Sequence, residues 1–225
     1  MPPLILYAFP ISQPARAVTW LLEIKGLAYE YKTTQPHTDT EKPEFWKVAP
    51  TGRIPAINDD GFILFESNAI MQYLCNKHKW TDYYPENYQS RALVDQYMHW
   101  HHTNLRLVTL EVWAPIFFAT IRKQTIPKVT DPLPSSVQFS LRLFDDFFLG
   151  GKKKYIAGES SPTIADIAAY CELDQIALSK MFDLTPYTNI TAWMDNMRRL
   201  PKHDEVRVPL SKSMARLMSA TGAKL

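Results

Sequence analysis

Apolar residues fall along the chain in two different rhythms. Leu4 to Phe9 is a short apolar run that reads as a buried strand, and Pro10-Ile11-Ser12-Gln13-Pro14 breaks it. A helix is expected to start near Pro14, since proline is tolerated in a first turn. Ala15, Val18, Leu21 and Leu22 form its apolar stripe and Gly26 its stop. Ala28 to Lys32 reads as a second strand, with Tyr29 and Tyr31 alternating outward from one face. Pro43 to Val48 is a short helix or turn. Ala56-Ile57 and Phe62 to Phe65, joined by the polar turn Asn58-Asp59-Asp60-Gly61, predict a β-hairpin. Glu66-Ser67 then closes the hairpin and opens a helix, with Ser67 as N-cap and Ile70, Tyr73 and Leu74 facing inward. The order is β-α-β-α-β-β-α.

Strand patterns stop there. His78 to Gln89, with Pro85 inside it, reads as a linker. Val94, Tyr97, Met98, His101, Leu105, Val108 and Val112 then recur at helical spacing until Pro115 ends or kinks the helix. A proline-rich loop over Ile126 to Pro134 precedes a helix marked by Val137, Leu141, Phe144 and Phe148, which Gly150-Gly151 stops. Lys152-Lys153-Lys154 is a solvated loop. Thr163-x-x-Asp166 is a capping-box-like start with Asp in place of Glu, followed by a stripe of Ile164, Ile167, Ala168 and Cys171. Asn189 to Leu200 is a further helix, and Leu210 to Met218 a short last one. The expected division is an α/β domain over residues 1–80 and an all-helical domain over 88–225.

Composition narrows the partners. A net charge of +2 gives nucleic acid or an anionic membrane no global attraction, and no apolar run has the length of a membrane span. The 2 cysteines, Cys75 and Cys171, lie far apart without a CxxC, which points to buried core thiols in a reducing compartment. Met1-Pro2-Pro3-Leu4 lacks the basic region of a signal peptide. Ala223-Lys224-Leu225 resembles the small-basic-leucine tripeptide read by the peroxisomal import receptor, so both peroxisome and cytoplasm stay open as locations.

The chemistry concentrates at the strand-to-helix corner. Free N–H groups at the start of a helix suit an anion, and Glu66 beside them suits a cation. An α-amino acid carries both charges on one carbon, so the corner fits the end of a small peptide. Ile54-Pro55, if cis, turns the backbone of Ile54 outward toward a ligand's main chain. Pro50-x-Gly52-Arg53-Ile54-Pro55 followed by Glu66-Ser67-x-Ala69-Ile70 resembles the glutathione-binding half of the cytosolic glutathione transferases. Ser12-Gln13-Pro14-Ala15-Arg16-Ala17-Val18 resembles the serine motif of their theta class, and Trp100-His101-His102-Thr103-Asn104-Leu105-Arg106 resembles the theta helix that overhangs the glutathione site, close to plant-type members.

The resemblance implies a thioredoxin-like N-terminal domain plus an all-α C-terminal domain carrying the electrophile pocket. It implies that glutathione is co-substrate, with no further cofactor, and that its thiolate attacks small electrophiles or organic hydroperoxides. Ser12 is implied as the thiolate's hydrogen-bond donor at the mouth of the first helix, with Tyr7 as the rival. Glu66 and Ser67 would hold the γ-glutamyl end and Ile54 the cysteinyl backbone. Arg53 would lie near the glycyl carboxylate, with Gln13 and His37 as further contacts. Arg106 would steady a departing anion or serve as a salt bridge, and Trp113, with Phe117 and Phe118, would line the acceptor pocket or the core. His99 and His102, spaced i, i+3, lack the further ligands a metal needs. A homodimer is expected. The alternative is a transferase-fold binding module or carrier of apolar ligands, which would not need the thiol-activating serine.

Overall fold

The computed structural model of the chain describes residues 3–122, 124–125, 127, 132–151, 153–158, 160–179 and 182–221. Lys152, parts of the proline-rich loop and the tripeptide Ala223-Lys224-Leu225 lie outside the described residues.

The alternating N-terminal segments build one mixed sheet. Strands β1 (Leu4–Ala8), β2 (Tyr29–Thr33), β3 (Ala56–Asp59) and β4 (Phe62–Phe65) lie in the order β2-β1-β3-β4. β1 and β2 are parallel, with Leu6 opposite Tyr31, and β3 is antiparallel to both β1 and β4. A parallel pair needs a crossover, which α1 (Gln13–Lys25) supplies. Leu4, Leu6 and Ala8 face the core beneath it, where Val18, Leu21 and Leu22 are fully buried. Gly26 ends α1 at φ 61°, a left-handed conformation that costs a glycine little. Tyr29 and Tyr31 share one face as expected, but that face packs onto the core rather than outward, with ring centroids 6.4 Å apart. The hairpin turn is tighter than predicted: Asn58 and Asp59 stay in β3, leaving Asp60-Gly61 at positive φ as a two-residue turn. The short α2 (Pro43–Trp46) and the helix α3 (Ser67–His78) complete this half.

α4 (Tyr88–His101) starts two residues earlier than the expected linker allows, because Asn87 caps it by accepting from the N–H groups of Gln89 and Ser90. Its end also differs from expectation. The chain leaves α4 at His102, turns through Arg106, and re-enters a π-helical stretch over Val108–Trp113 that runs into α5 (Ala114–Ile121). Pro115 therefore sits in the first turn of α5 and stops nothing. The widened turn before it, in which the Ala114 N–H donates to the Thr109 carbonyl, accommodates the missing donor.

α6 (Ser135–Leu143) continues into a second π-helical stretch, Phe144–Phe148, before the glycine stop. A Cβ on Gly150 would lie 1.8 Å from the Asp146 carbonyl oxygen, so no other residue fits there. α7 (Ile164–Ser179) is buried on every side and is the axis of the second half. Asp166 anchors its start: the carboxylate accepts from the N–H and hydroxyl of Thr163, the N–H of Ile156 and the Trp193 indole. Burial pushes the Asp166 carboxyl above its ordinary range, and these four donors offset only part of that. α8 (Thr188–Met197) follows. α9 runs over His203–Thr221, longer than the expected last helix, and carries Pro209 inside it.

The two halves share one continuous core, in which α1 packs along α7. Arg16 on α1 donates to the Cys171 carbonyl at 2.6 Å and pairs with Asp174 at 3.4 Å. Trp20 donates its indole N–H to the Pro201 carbonyl. Cys75 and Cys171 are buried thiols, both pushed up to about 12 by burial, and inert as nucleophiles at neutral pH.

Candidate active site

The corner between β4 and α3 is built from an unusual backbone. Glu66 stands at φ 71°, ψ 111°, a conformation that non-glycine residues adopt only where surrounding structure enforces it. Its carbonyl accepts the first helical bond, from the Ile70 N–H at 2.9 Å. Glu66 thus holds the N-cap position and Ser67 is the first helical residue, one place later than expected of a cap. The reason is local: the backbone of Glu66 is already outside the helical range, so the helix can begin only after it. No side-chain bond caps α3. Its first-turn N–H groups have no helical acceptor and are left for an anion. Glu66 is exposed, and its carboxylate has no ion pair among the described residues.

The second wall comes from the turn before β3. Gly52 stands at φ 62°, and a Cβ there would come within 3.3 Å of the Thr40 carbonyl oxygen. Ile54-Pro55 is cis. Neither the N–H nor the C=O of Ile54 takes a hydrogen bond among the described residues, whereas pairing with β4 begins at Ala56. Arg53 is exposed beside them. Arg53, Ile54, Glu66 and Ser67 line one open cleft, and Pro14 reaches it from the start of α1.

The opposite wall belongs to the helical half. His101, His102 and Arg106 line the same cleft. Asn68 ties the walls together, donating through Nδ2 to the Met98 carbonyl at 3.0 Å and lying 3.2 Å from His102 Nε2. Arg106 donates through Nη1 to Glu172 Oε2 at 2.8 Å. Glu172 is buried, and its other oxygen, Oε1, has no partner among the described residues. His101 is buried too. It shares a hydrogen bond with the Tyr97 hydroxyl through Nδ1, and its Nε2 lies 3.8 Å from Glu172 Oε2. Burial, followed by the positive charge of Arg106, pushes His101 down to about 3, so the ring is neutral at physiological pH.

The remaining sequence-predicted residues divide. Ser12 sits half-buried at the N-cap of α1, two residues before the cleft-lining Pro14, and its hydroxyl makes no capping bond. Tyr7 packs edge-on against Phe45 with the Lys32 ammonium 5.3 Å from its ring centre. Gln13 is not on the cleft. Its side chain is buried and donates to Thr109 Oγ1 at 2.8 Å, because α1 meets the π-helical stretch there. His37, at φ 61°, stands outside the cleft with its ring edge-on to Phe118 at 5.7 Å and its Nδ1 3.6 Å from Glu41. Trp113 is a core residue, 5% exposed and stacked on Phe117, so it does not line the cleft.

Two family models match the chain: glutathione S-transferase, N-terminal domain, over residues 2–76, and glutathione S-transferase, C-terminal domain, over residues 111–204. Glutathione S-transferase T1 of Arabidopsis thaliana is 30% identical over 221 residues, which cover 92% of this chain and 89% of that protein. The chain belongs to the glutathione transferase family. Its sequence relatives are of the theta class, including glutathione S-transferase theta-3 of Mus musculus, 33% identical over 84% of this chain and 79% of that one. The chain spans a little over a third of two other Arabidopsis thaliana relatives, T2 and T3, at 37% and 38% of their lengths. A human theta-class structure solved with the glutathione conjugate of 1-menaphthyl sulfate superposes with a TM-score of 0.83 at 26% identity, covering 97% of this chain and 91% of that one.

Within this member of the family, sequence reasoning missed Glu172, Asn68 and the separate places of His101 and His102. Glu172 was detectable in principle. It is an acid in a helix whose neighbours Ile167, Ala168, Cys171 and Ile176 are all apolar, and a charge buried there must be paired. Its partner Arg106 lies 66 residues away.

Proposed function

We propose that this transferase joins the thiolate of glutathione to small electrophiles. The observation that carries the reading is the charge layout of the cleft. Glutathione has two carboxylates and one ammonium group. Among the described residues the cleft offers one carboxylate without an ion pair in Glu66, the open N–H groups of α3, a guanidinium without an ion pair in Arg53, and the unpaired backbone of Ile54 between them. The γ-glutamyl end lies at Glu66 and Ser67, the cysteinyl backbone pairs with Ile54, and the glycyl carboxylate lies toward Arg53.

That register carries the sulfur toward the start of α1. A free thiol has a pKa of about 8.5, and only its anion attacks well. Ser12 donates its uncommitted hydroxyl hydrogen to the sulfur, and the helix adds the positive end of its dipole. Tyr7 is the weaker candidate because its ring is packed against Phe45 beneath Lys32. The thiol proton leaves to solvent. The sulfur lone pair then forms a bond to the electrophilic carbon while the leaving group departs with its bonding pair, toward the positive charge of Arg106.

The same sulfur anion can open a hydroperoxide. It attacks the terminal oxygen, the O–O bond breaks and the alkoxide takes a proton from solvent to leave as an alcohol; the sulfenic acid formed on sulfur then condenses with a second glutathione thiol to give the disulfide and water. Homodimer formation is supported by apolar side chains exposed on β4 and α4, namely Phe62, Ile63 and Leu93. The deciding experiment is glutathione turnover with an alkyl halide, an aryl halide and an organic hydroperoxide. Turnover of a halide supports the transferase reading, and tight glutathione binding without turnover of any of the three refutes it.

A further inference from the structure

The tie between Asn68 and His102 fixes more than the distance between the walls. The Met98 carbonyl can only accept, so the Asn68 side chain must turn its nitrogen, Nδ2, toward it. The same nitrogen lies 3.2 Å from His102 Nε2. Its first hydrogen goes to Met98 and its second goes to the ring, so Nε2 is an acceptor. In the neutral ring the remaining proton then sits on Nδ1. That N–H has no acceptor among the described residues, and His102 is an exposed residue lining the cleft beside Ser67.

We propose that His102 is a ligand-reading residue that donates from Nδ1 to the α-carboxylate of the γ-glutamyl group, with Asn68 as the positioning residue that sets its tautomer. The inference rests on the placement of the γ-glutamyl end at Glu66 and Ser67. The carboxylate is then held from both domains: by the start of α3 on one side and by the end of α4 on the other. This one group is then contacted from both sides of the domain boundary. An ammonium group at the same place would find no acceptor in His102, so the contact also fixes which way round the amino acid end sits. His101, next in sequence, cannot substitute, because its ring is buried against Tyr97 and Glu172.

The test measures dissociation constants for glutathione and for 4-aminobutyryl-cysteinylglycine, which keeps the amino group and lacks the α-carboxylate. His102→Leu removes the donor and is expected to weaken glutathione binding about tenfold, as for a lost hydrogen bond to a charged group. Binding of the decarboxylated ligand is expected to stay within about twofold of the unsubstituted protein. His102→Asn keeps a donor at the place of Nδ1 and retains most of the affinity. His102→Gln places its amide at the place of Nε2 and does not. Nitrogen-15 spectra of the ring are expected to show Nδ1 protonated in the free protein, and Asn68→Ala to release that preference. Equal losses for both ligands, no loss for either, or a proton found on Nε2 overturns the proposal while leaving the glutathione site standing. Failure of the unsubstituted protein to bind glutathione overturns the reading of the site and this proposal together.

Discussion

Replacing Arg106 with alanine strands a charge, and the structure sets the size of the effect. The Glu172 carboxylate is 1% exposed and has two oxygens. One is held by Arg106 at 2.8 Å and the other has no partner among the described residues. His101, 3.8 Å away and neutral, cannot replace the lost charge. Removing one partner of a buried pair costs about 3–5 kcal/mol. Arg106 is itself 25% exposed, which allows some water to reach the site, so the lower end, about 3 kcal/mol, applies. For a chain of this size that corresponds to roughly 6–12 °C in Tm. Glu172→Gln should cost much less, about 1 kcal/mol, because the freed guanidinium can turn outward into solvent. The double change Arg106→Ala with Glu172→Gln leaves no charge buried alone and should recover most of the loss. Denaturant unfolding of the four proteins gives the cycle directly. Steady-state kinetics separates the second role: Glu172→Gln keeps the cation, so it should preserve kcat better than Arg106→Ala with a substrate that releases an anion. Near-equal stabilities of the two single variants, or a greater loss for Glu172→Gln, would mean that Arg106 does not neutralise a buried Glu172 charge.

Other expectations are more quickly tested. Ser12→Ala should lower turnover by about a hundredfold, as for one lost donor to a developing anion, with Tyr7→Phe close to unchanged; the reverse pattern of kcat/KM would move the thiol donor to Tyr7. Asp166→Ala removes the acceptor for three segments at once and should cost about 3 kcal/mol or more, read as a lowered denaturant midpoint with glutathione affinity little changed in the fraction that folds. His101 is held neutral in the folded protein, well below its ordinary 6.5. Its contribution to stability is therefore complete above pH about 6.5 and is lost as pH falls toward about 3, by a few kcal/mol in all. His101→Gln should flatten that part of the stability profile, and an unchanged acid slope would show that the proton goes elsewhere.

The parts of the fold that a local pattern encodes could be read from the chain. Gly26 and the Asp60-Gly61 turn carry backbone instructions in their own residue types, and the order of strands follows from the short apolar runs around them. The shape of the cleft corner was legible for the same reason, since the cis Ile54-Pro55 bond and the strand-to-helix turn at Glu66-Ser67 are features of their own backbones. What failed was whatever depends on a partner remote in sequence. Gln13 lies in the motif but is engaged by Thr109, and no property of Gln13 alone says so. Trp113 takes the core, one of the two places its sequence left open, and Pro115 ends no helix. A π-helical turn changes the rotation per residue, so 3.6-residue spacing no longer says which face a side chain takes. Ser67 was off by one because the unusual backbone of Glu66, enforced by the corner, cannot be read from a glutamate.

The central claim concerns the sulfur, and the ionisation of bound glutathione tests it most directly. Ultraviolet titration of the thiolate in the binary complex is expected to give a pKa well below the free value of about 8.5, with Ser12→Ala returning it toward that value while binding persists. A bound thiol that titrates like the free one, or that ignores the loss of the Ser12 hydroxyl, would contradict the account.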